Sequence, residues 1–307
     1  MVDLNDSSCI IQHYEFDSIS SRELLHFTGM PPDGHALIAY CRFGAPGIPA
    51  TSGYNDIIDF TGGNRPGPIP RFIGNVFVSA VDDVFDMDST DAHIEGNIFM
   101  NVRKESSRSS SSNAITTGAE NNNTSELVIA RNIFFNCEHN LLIKDHGTAI
   151  MQNNTSLTLK ANPLSDNTDP SGDEEPGVVM FSEPWHDDPF GDGVYYEGNI
   201  AADLQIINDP WPLYQSALAA TGCFLIRDFN CVEGFPQTGM GNLSRDPLFV
   251  DRTGIDHTNI LHDDRRGRGS HPPEILPAGH ARAQAVRSES CWEGRRSVST
   301  CAGRGRE

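Results

Sequence analysis

One phrase recurs along this chain and limits what it can fold into: an apolar residue, two or three small or polar residues, Asn, any residue, then Phe or an equivalent. It occurs at residues 72–77 (FIGNVF), 94–99 (IEGNIF), 129–134 (IARNIF), 150–155 (IMQNNT) and 195–200 (YYEGNI). Upstream, residues 10–16 and 37–43 keep the phrase with Tyr14 and Cys41 in the Asn position. Asn75, Asn97, Asn132 and Asn154 are separated by 22, 35 and 22 residues. A short repeat that tolerates insertions fits the coils of a parallel β-solenoid better than a fixed-length helical array. Each coil would be a few short strands, with equivalent side chains stacking about 4.8 Å apart. The Asn side chains could then hydrogen-bond along the axis as a ladder, with the Phe two positions on stacked inside. The alternative role for the Asn is a turn position that tolerates left-handed backbone, and the two roles are compatible.

Composition agrees with a mostly β chain. Among 307 residues there are 28 Gly and 19 Pro, with abundant Asn and Asp, which favour turns and short strands over long helices. Hydrophobic residues at 37% suffice for a core. The expected solenoid spans residues 1–251, with residues 246–251 (DPLFVD) as its last strand. Residues 252–307 are an Arg/Gly/Ser-rich tail with no sustained period, expected to be disordered or a non-native extension. The charge divides the same way: 35 acids against 12 bases up to residue 251, then 7 acids against 10 arginines. A net charge of −20 with three lysines argues against nucleic acid. No run approaches membrane-spanning length, and residues 1–8 do not read as a signal peptide. The seven cysteines form no CxxC pair, and Cys9 and Cys41 read as small buried apolar side chains.

Residues 80–99 carry the main functional lead. Asp82, Asp83, Asp86 and Asp88 surround Phe85 and Met87 with period two, so one strand face would be apolar and the other a row of carboxylates. Stacked carboxylates repel and hold their protons unless a cation lies between them. Ca²⁺ accepts six to eight oxygens with loose geometry. The alternative is a solvated acidic face with turn roles for Asp82 and Asp83. Of the loops, residues 105–113 are Ser-rich, and residues 164–177 and 183–193 are acidic and flank one strand, 178–181. In the second acidic loop Trp185 and His186 could stack on a sugar ring or pack down on their own loop.

By the Asn-x-Phe phrase and the carboxylate spacing, residues 10–251 resemble the right-handed parallel β-helix superfamily of pectate lyase-like proteins. More narrowly, they resemble the β-helix segment of large secreted bacterial proteins, in which DPLFVD also recurs. The resemblance implies an all-β right-handed parallel β-helix, an extracellular or cell-surface location and membership of a larger multidomain protein. The Asp run is similar to the Ca²⁺ site of family-nine polysaccharide lyases. That similarity implies Asp82, Asp83 and Asp86 as ligands with Asp59 from the preceding coil, Phe60 and Phe85 pointing inward. In such a lyase Ca²⁺ acidifies the C–H beside a uronate carboxylate and a neutral Lys abstracts the proton. The matching run here is residues 114–118 (AITTG), which places Thr116 where the base belongs, and a hydroxyl cannot do that work. Lys104, Arg103 and Lys144 are the nearby substitutes. The expectation is therefore a β-helix module that binds Ca²⁺ and acidic polysaccharide without intact lyase chemistry. An active uronate lyase using Lys144 or Lys104, and a purely structural or adhesive solenoid, are the alternatives.

Overall fold

The computed structural model describes residues 2–17, 23–44, 56–63, 65, 67–80, 82–103, 112–120, 123–157, 177–181, 189–202, 224–234 and 238–249. Among them there is no helix, and every long-range strand pairing is parallel. The strands form three sheets, each visited once per coil in turn. The first sheet contains Leu25–Thr28, Ile58–Thr61, Phe85–Asp88, Ile115–Glu120 and His139–Ile143; the second Ala92–Glu95, Glu126–Ala130, Thr148–Gln152 and Gly193–Glu197; the third Ile98–Met100, Ile133–Phe135, Thr155–Leu157 and Ile200–Ala202. These stacked sheets have the arrangement of a β-solenoid, as the repeat predicts. No helix of the described residues is long and apolar enough to cross a membrane.

The repeated phrase is the corner between the second and third sheets. The backbone N–H and Nδ2 of Asn75 both donate to Asn97 Oδ1, at 2.9 Å each, and the same two groups of Asn97 donate to Asn132 Oδ1 at 2.8 and 3.0 Å. The pattern continues from Asn132 to Asn154, Asn199, Asn230 and Asn242. Each Nδ2 also donates to a strand carbonyl of the preceding coil, as Asn97 does to Phe72 O at 2.9 Å. Cys41 takes the Asn position by donating its N–H to Asn75 Oδ1 at 2.9 Å. The left-handed backbone falls on the residue before the Asn: Tyr40, Gly74, Gly96, Arg131, Asn153, Gly198 and Phe229 all have positive φ. The turn and the ladder are thus divided between two adjacent positions.

Inside, the residue two on from the ladder position is Phe as far as Asn132, and these rings form one column, giving way to Ser156, Ala201 and Val232 in later coils. Phe16, Phe43, Phe77, Phe99 and Phe134 stack with centroids 4.9, 4.6, 5.2 and 4.9 Å apart. Phe27 and Phe60 stack at 4.2 Å in the first sheet. Each buried Phe contributes about 1.5–3 kcal/mol relative to exposure. A second apolar cluster, Val78, Met100, Phe135, Leu157 and Ala202, covers the outside of the third sheet, and Phe249 packs on it. The expected strand over DPLFVD is not formed across residues 246–249. Pro247 has no N–H to give a ladder, Leu248 has φ 58°, and its N–H turns back to Asp246 Oδ1 at 2.7 Å. Leu243 bridges to Cys231 instead. Residues 252–307 lie outside the described residues.

Replacing Asn97 by Ala leaves the Asn75 N–H, the Phe72 carbonyl and Asn132 Oδ1 each short of a partner in a buried setting. The expected loss is about 3–5 kcal/mol in urea unfolding. The exposed Asn153→Gly change keeps its left-handed turn and is expected to stay within about 0.5 kcal/mol.

Candidate metal centre

The acidic stretch becomes a strand because its alternation is strict. Phe85 and Met87 are fully buried, while Asp86 and Asp88 point to the outer face of the first sheet. Parallel pairing then sets neighbours without choice. His26, Asp59, Asp86, Thr116 and Leu142 occupy one register column. Phe60 and Phe85 are both buried inward, which leaves Asp59 and Asp86 adjacent on the outside as the carboxylate spacing predicts.

A second column stands three residues earlier in each coil, at the entrance to the sheet: Glu23, Asp56, Asp83, Asn113 and His139. Asp56 belongs to no sequence-level candidate set, although its signal is present. Glu-x-x-His (23–26), Asp-x-x-Asp (56–59), Asp-x-x-Asp (83–86) and Asn-x-x-Thr (113–116) repeat coil by coil. Asp56 Oδ1 accepts the Asp83 N–H at 3.2 Å. Asp83 Oδ1 accepts the N–H and Nδ2 of Asn113 at 2.9 and 2.8 Å. The Thr116 hydroxyl donates to Asp83 Oδ2. This is a ladder of opposite polarity to the Asn ladder, because here each backbone N–H points to the previous coil.

The face is crowded with carboxylates that have lost water. Burial, and then the Asp82 charge, push Asp83 up to about 8, with Thr116, Asn113 and Lys144 pulling it back. Burial raises Asp59 to about 7, opposed by the His26 charge, and raises Asp88 to about 6, opposed by Lys144. Asp56 and Asp86 are also raised, by burial first and by neighbouring aspartates second. Asp86 Oδ1 is shut off from solvent and receives no hydrogen bond.

The four sequence-level ligands are not gathered around a single point. Asp82 and Asp83 join Asp56, with one donor oxygen from each within 4.8 Å of the others, whereas Asp59 groups with Glu23 and His26. Asp86 stands between the two groups, three residues after Asp83 and in register with Asp59. Of the substitute bases, Arg103 is turned away from this face. It is buried and its Nε donates to Asn136 O and Oδ1 at 3.2 and 2.8 Å. Lys144 follows His139–Ile143 and bridges antiparallel to Phe190, and its charge is felt by Asp83, Asp86 and Asp88. Its backbone is fixed by Thr117 Oγ1, which accepts the Lys144 N–H at 2.8 Å. Lys104, Trp185 and His186 lie outside the described residues. No protein family, curated protein or solved structure matches this chain.

Because these acids bind protons more tightly in the folded state than in the unfolded chain, the metal-free protein loses stability as pH rises between about 4 and 8. Thermal unfolding in chelator is expected to give a higher Tm at pH 5 than at pH 8. Asp86→Asn, which removes one charge from the face, is expected to narrow that difference.

Proposed function

We propose that the chain is the right-handed parallel β-helix module of an extracellular bacterial protein, similar to the pectate lyase-like superfamily. It binds Ca²⁺ on the outer face of its first sheet and, through that ion, acidic polysaccharide. The observation that carries the reading is Asp86 Oδ1, a buried carboxylate oxygen with no hydrogen-bond donor, set among carboxylates that burial and mutual repulsion both destabilise. A hard divalent cation relieves both costs at once. The available donors are all oxygens, which suits Ca²⁺. Asp56, Asp82 and Asp83 would hold the ion with Asp86 beside them. Asp59 extends the acidic face from the neighbouring column.

When bound, Ca²⁺ would supply a positive charge for a uronate carboxylate. The chain's own residues supply little beyond that. Thr116 sits where a lyase of the resembled family keeps its base, and its hydroxyl is committed to Asp83. Among the described residues Lys144 is the remaining candidate, and its positive charge offsets Asp83, Asp86 and Asp88. A proton-abstracting amine has to be neutral, so a lysine serving as counter-charge to three carboxylates is poorly placed for β-elimination. Binding without cleavage is the reading these residues support.

Millimolar Ca²⁺ added to chelator-stripped protein is expected to raise Tm by several degrees at pH 8, an effect that Asp83→Ala and Asp86→Asn abolish. Affinity electrophoresis in polygalacturonate or alginate is expected to show Ca²⁺-dependent retardation, with no rise in absorbance from a new double bond. An unchanged Tm would remove the metal from the reading. Absorbance growth lost in Lys144→Ala would replace binding by lyase activity.

A further inference from the structure

A second set of metal-ligating side chains lies at the N-terminal end of the same face and shares no ligand with Asp56, Asp82 and Asp83. Glu23, His26 and Asp59 each bring one donor atom within 4.8 Å of the others. Strand Leu25–Thr28 places the histidine: Leu25 and Phe27 are fully buried, so the alternation turns His26 outward, in register with Asp59. Its ring lies between two carboxylates. Nδ1 lies 3.6 Å from Asp3 Oδ1, while Nε2 lies 3.4 Å from Asp59 Oδ2 and 3.1 Å from Thr61 Oγ1.

That disposition is the one metal-ligating histidines adopt. Nδ1 faces the Asp3 carboxylate, and Nε2, on the side of Asp59 and Thr61, faces the ion. Asp59 is only 8% exposed, and the next residue in its column is Asp86, whose buried Oδ1 receives no hydrogen bond. The group is therefore more than a patch of surface acids. It contains an imidazole, a carboxylate behind that imidazole, and an adjacent carboxylate oxygen lacking a donor.

We propose that Glu23, His26 and Asp59 bind a divalent transition-metal ion such as Zn²⁺, with Asp3 as the carboxylate that orients His26. The nitrogen donor decides the class. Imidazole suits Zn²⁺ and Co²⁺, whereas Ca²⁺ is taken by oxygen sets. One imidazole and two carboxylates supply three ligands and leave a position for water or for an oxygen of a bound molecule. Its three ligands are distinct from Asp56, Asp82 and Asp83 and its ion differs from that of the Ca²⁺ reading, although Asp86 borders both groups and Asp59 belongs to the same acidic face.

The experiment titrates the chelator-stripped full chain with Zn²⁺ by calorimetry and with Co²⁺ by visible absorption, in saturating Ca²⁺. Co²⁺ is expected to give d–d bands that Zn²⁺ displaces and that vanish in His26→Gln. Glu23→Gln and Asp3→Asn are expected to weaken binding about 10–100-fold, while Asp82→Asn leaves it unchanged. Glu23→Gln, outside any strand, keeps the test independent of how His26→Gln folds. The proposal is overturned by wild-type protein giving neither Co²⁺ bands nor Zn²⁺ heat. It is equally overturned if both signals survive in His26→Gln and Glu23→Gln, as an ordinary His26–Asp59 ion pair would allow. Loss of binding in Asp82→Asn but not in His26→Gln would move the ion to the Asp56, Asp82 and Asp83 group. Co²⁺ bands without any stabilisation by Ca²⁺ would sink the Ca²⁺ reading and leave this one standing.

Discussion

In-register parallel stacking is the constraint from which the rest of this structure follows. Strands repeat about 4.8 Å apart, so a residue type placed at one position of the coil meets its own kind in the next. For Phe, repetition builds the column from Phe16 to Phe134, and for Asn it builds the ladder from Asn75 to Asn242. Both gain from repetition. Asp does not, since each added carboxylate raises the cost of ionising its neighbour.

The chain handles that conflict by changing residue type along the two columns. In the outer column His26 precedes Asp59 and Asp86, and Thr116 and Leu142 follow. In the entrance column the aspartates give way to Asn113, whose N–H and amide both donate to Asp83. The acids of the two columns thus end at the coil of Asp83 and Asp86, with His26 interrupting the outer column between Asp3 and Asp59, and with donors plus Lys144 on the far side. A sheet needing only solubility would scatter its charges. Concentrating them where burial raises their proton affinity is what the proposed cation sites would account for, and the two groups differ in whether an imidazole takes part.

Much of this was legible in the sequence, because a solenoid writes its coil into the chain. The Asn-x-Phe phrase fixed the corner and the inward Phe column, and period-two spacing fixed which way Phe85, Asp86, Met87 and Asp88 point. The pairing of Asp59 with Asp86 across coils is the one the lyase resemblance implies, with Phe60 and Phe85 inward. Asp56 is less legible, because the three-residue offset that relates residues 23, 56, 83 and 113 joins different residue types and is weaker than the dense Asp run. The lyase resemblance also draws Asp59 into one site with Asp82 and Asp83. Register alone aligns columns, and which side chains converge depends on how each carboxylate leans, as Asp59 does toward His26. The ending departs from the expected strand for a local reason, the Asp246 side chain capping Leu248 after Pro247.

The central claim is that the acidic face holds protons only for want of a metal ion. Calorimetric titration of Ca²⁺ into chelator-stripped protein at pH 7, repeated in buffers of different ionisation enthalpy, measures both binding and the protons released with it. The account predicts saturable binding with net proton release, because Asp83 at about 8 and Asp59 at about 7 are partly protonated until a cation arrives. Binding that releases no protons, or no binding at all, would contradict it.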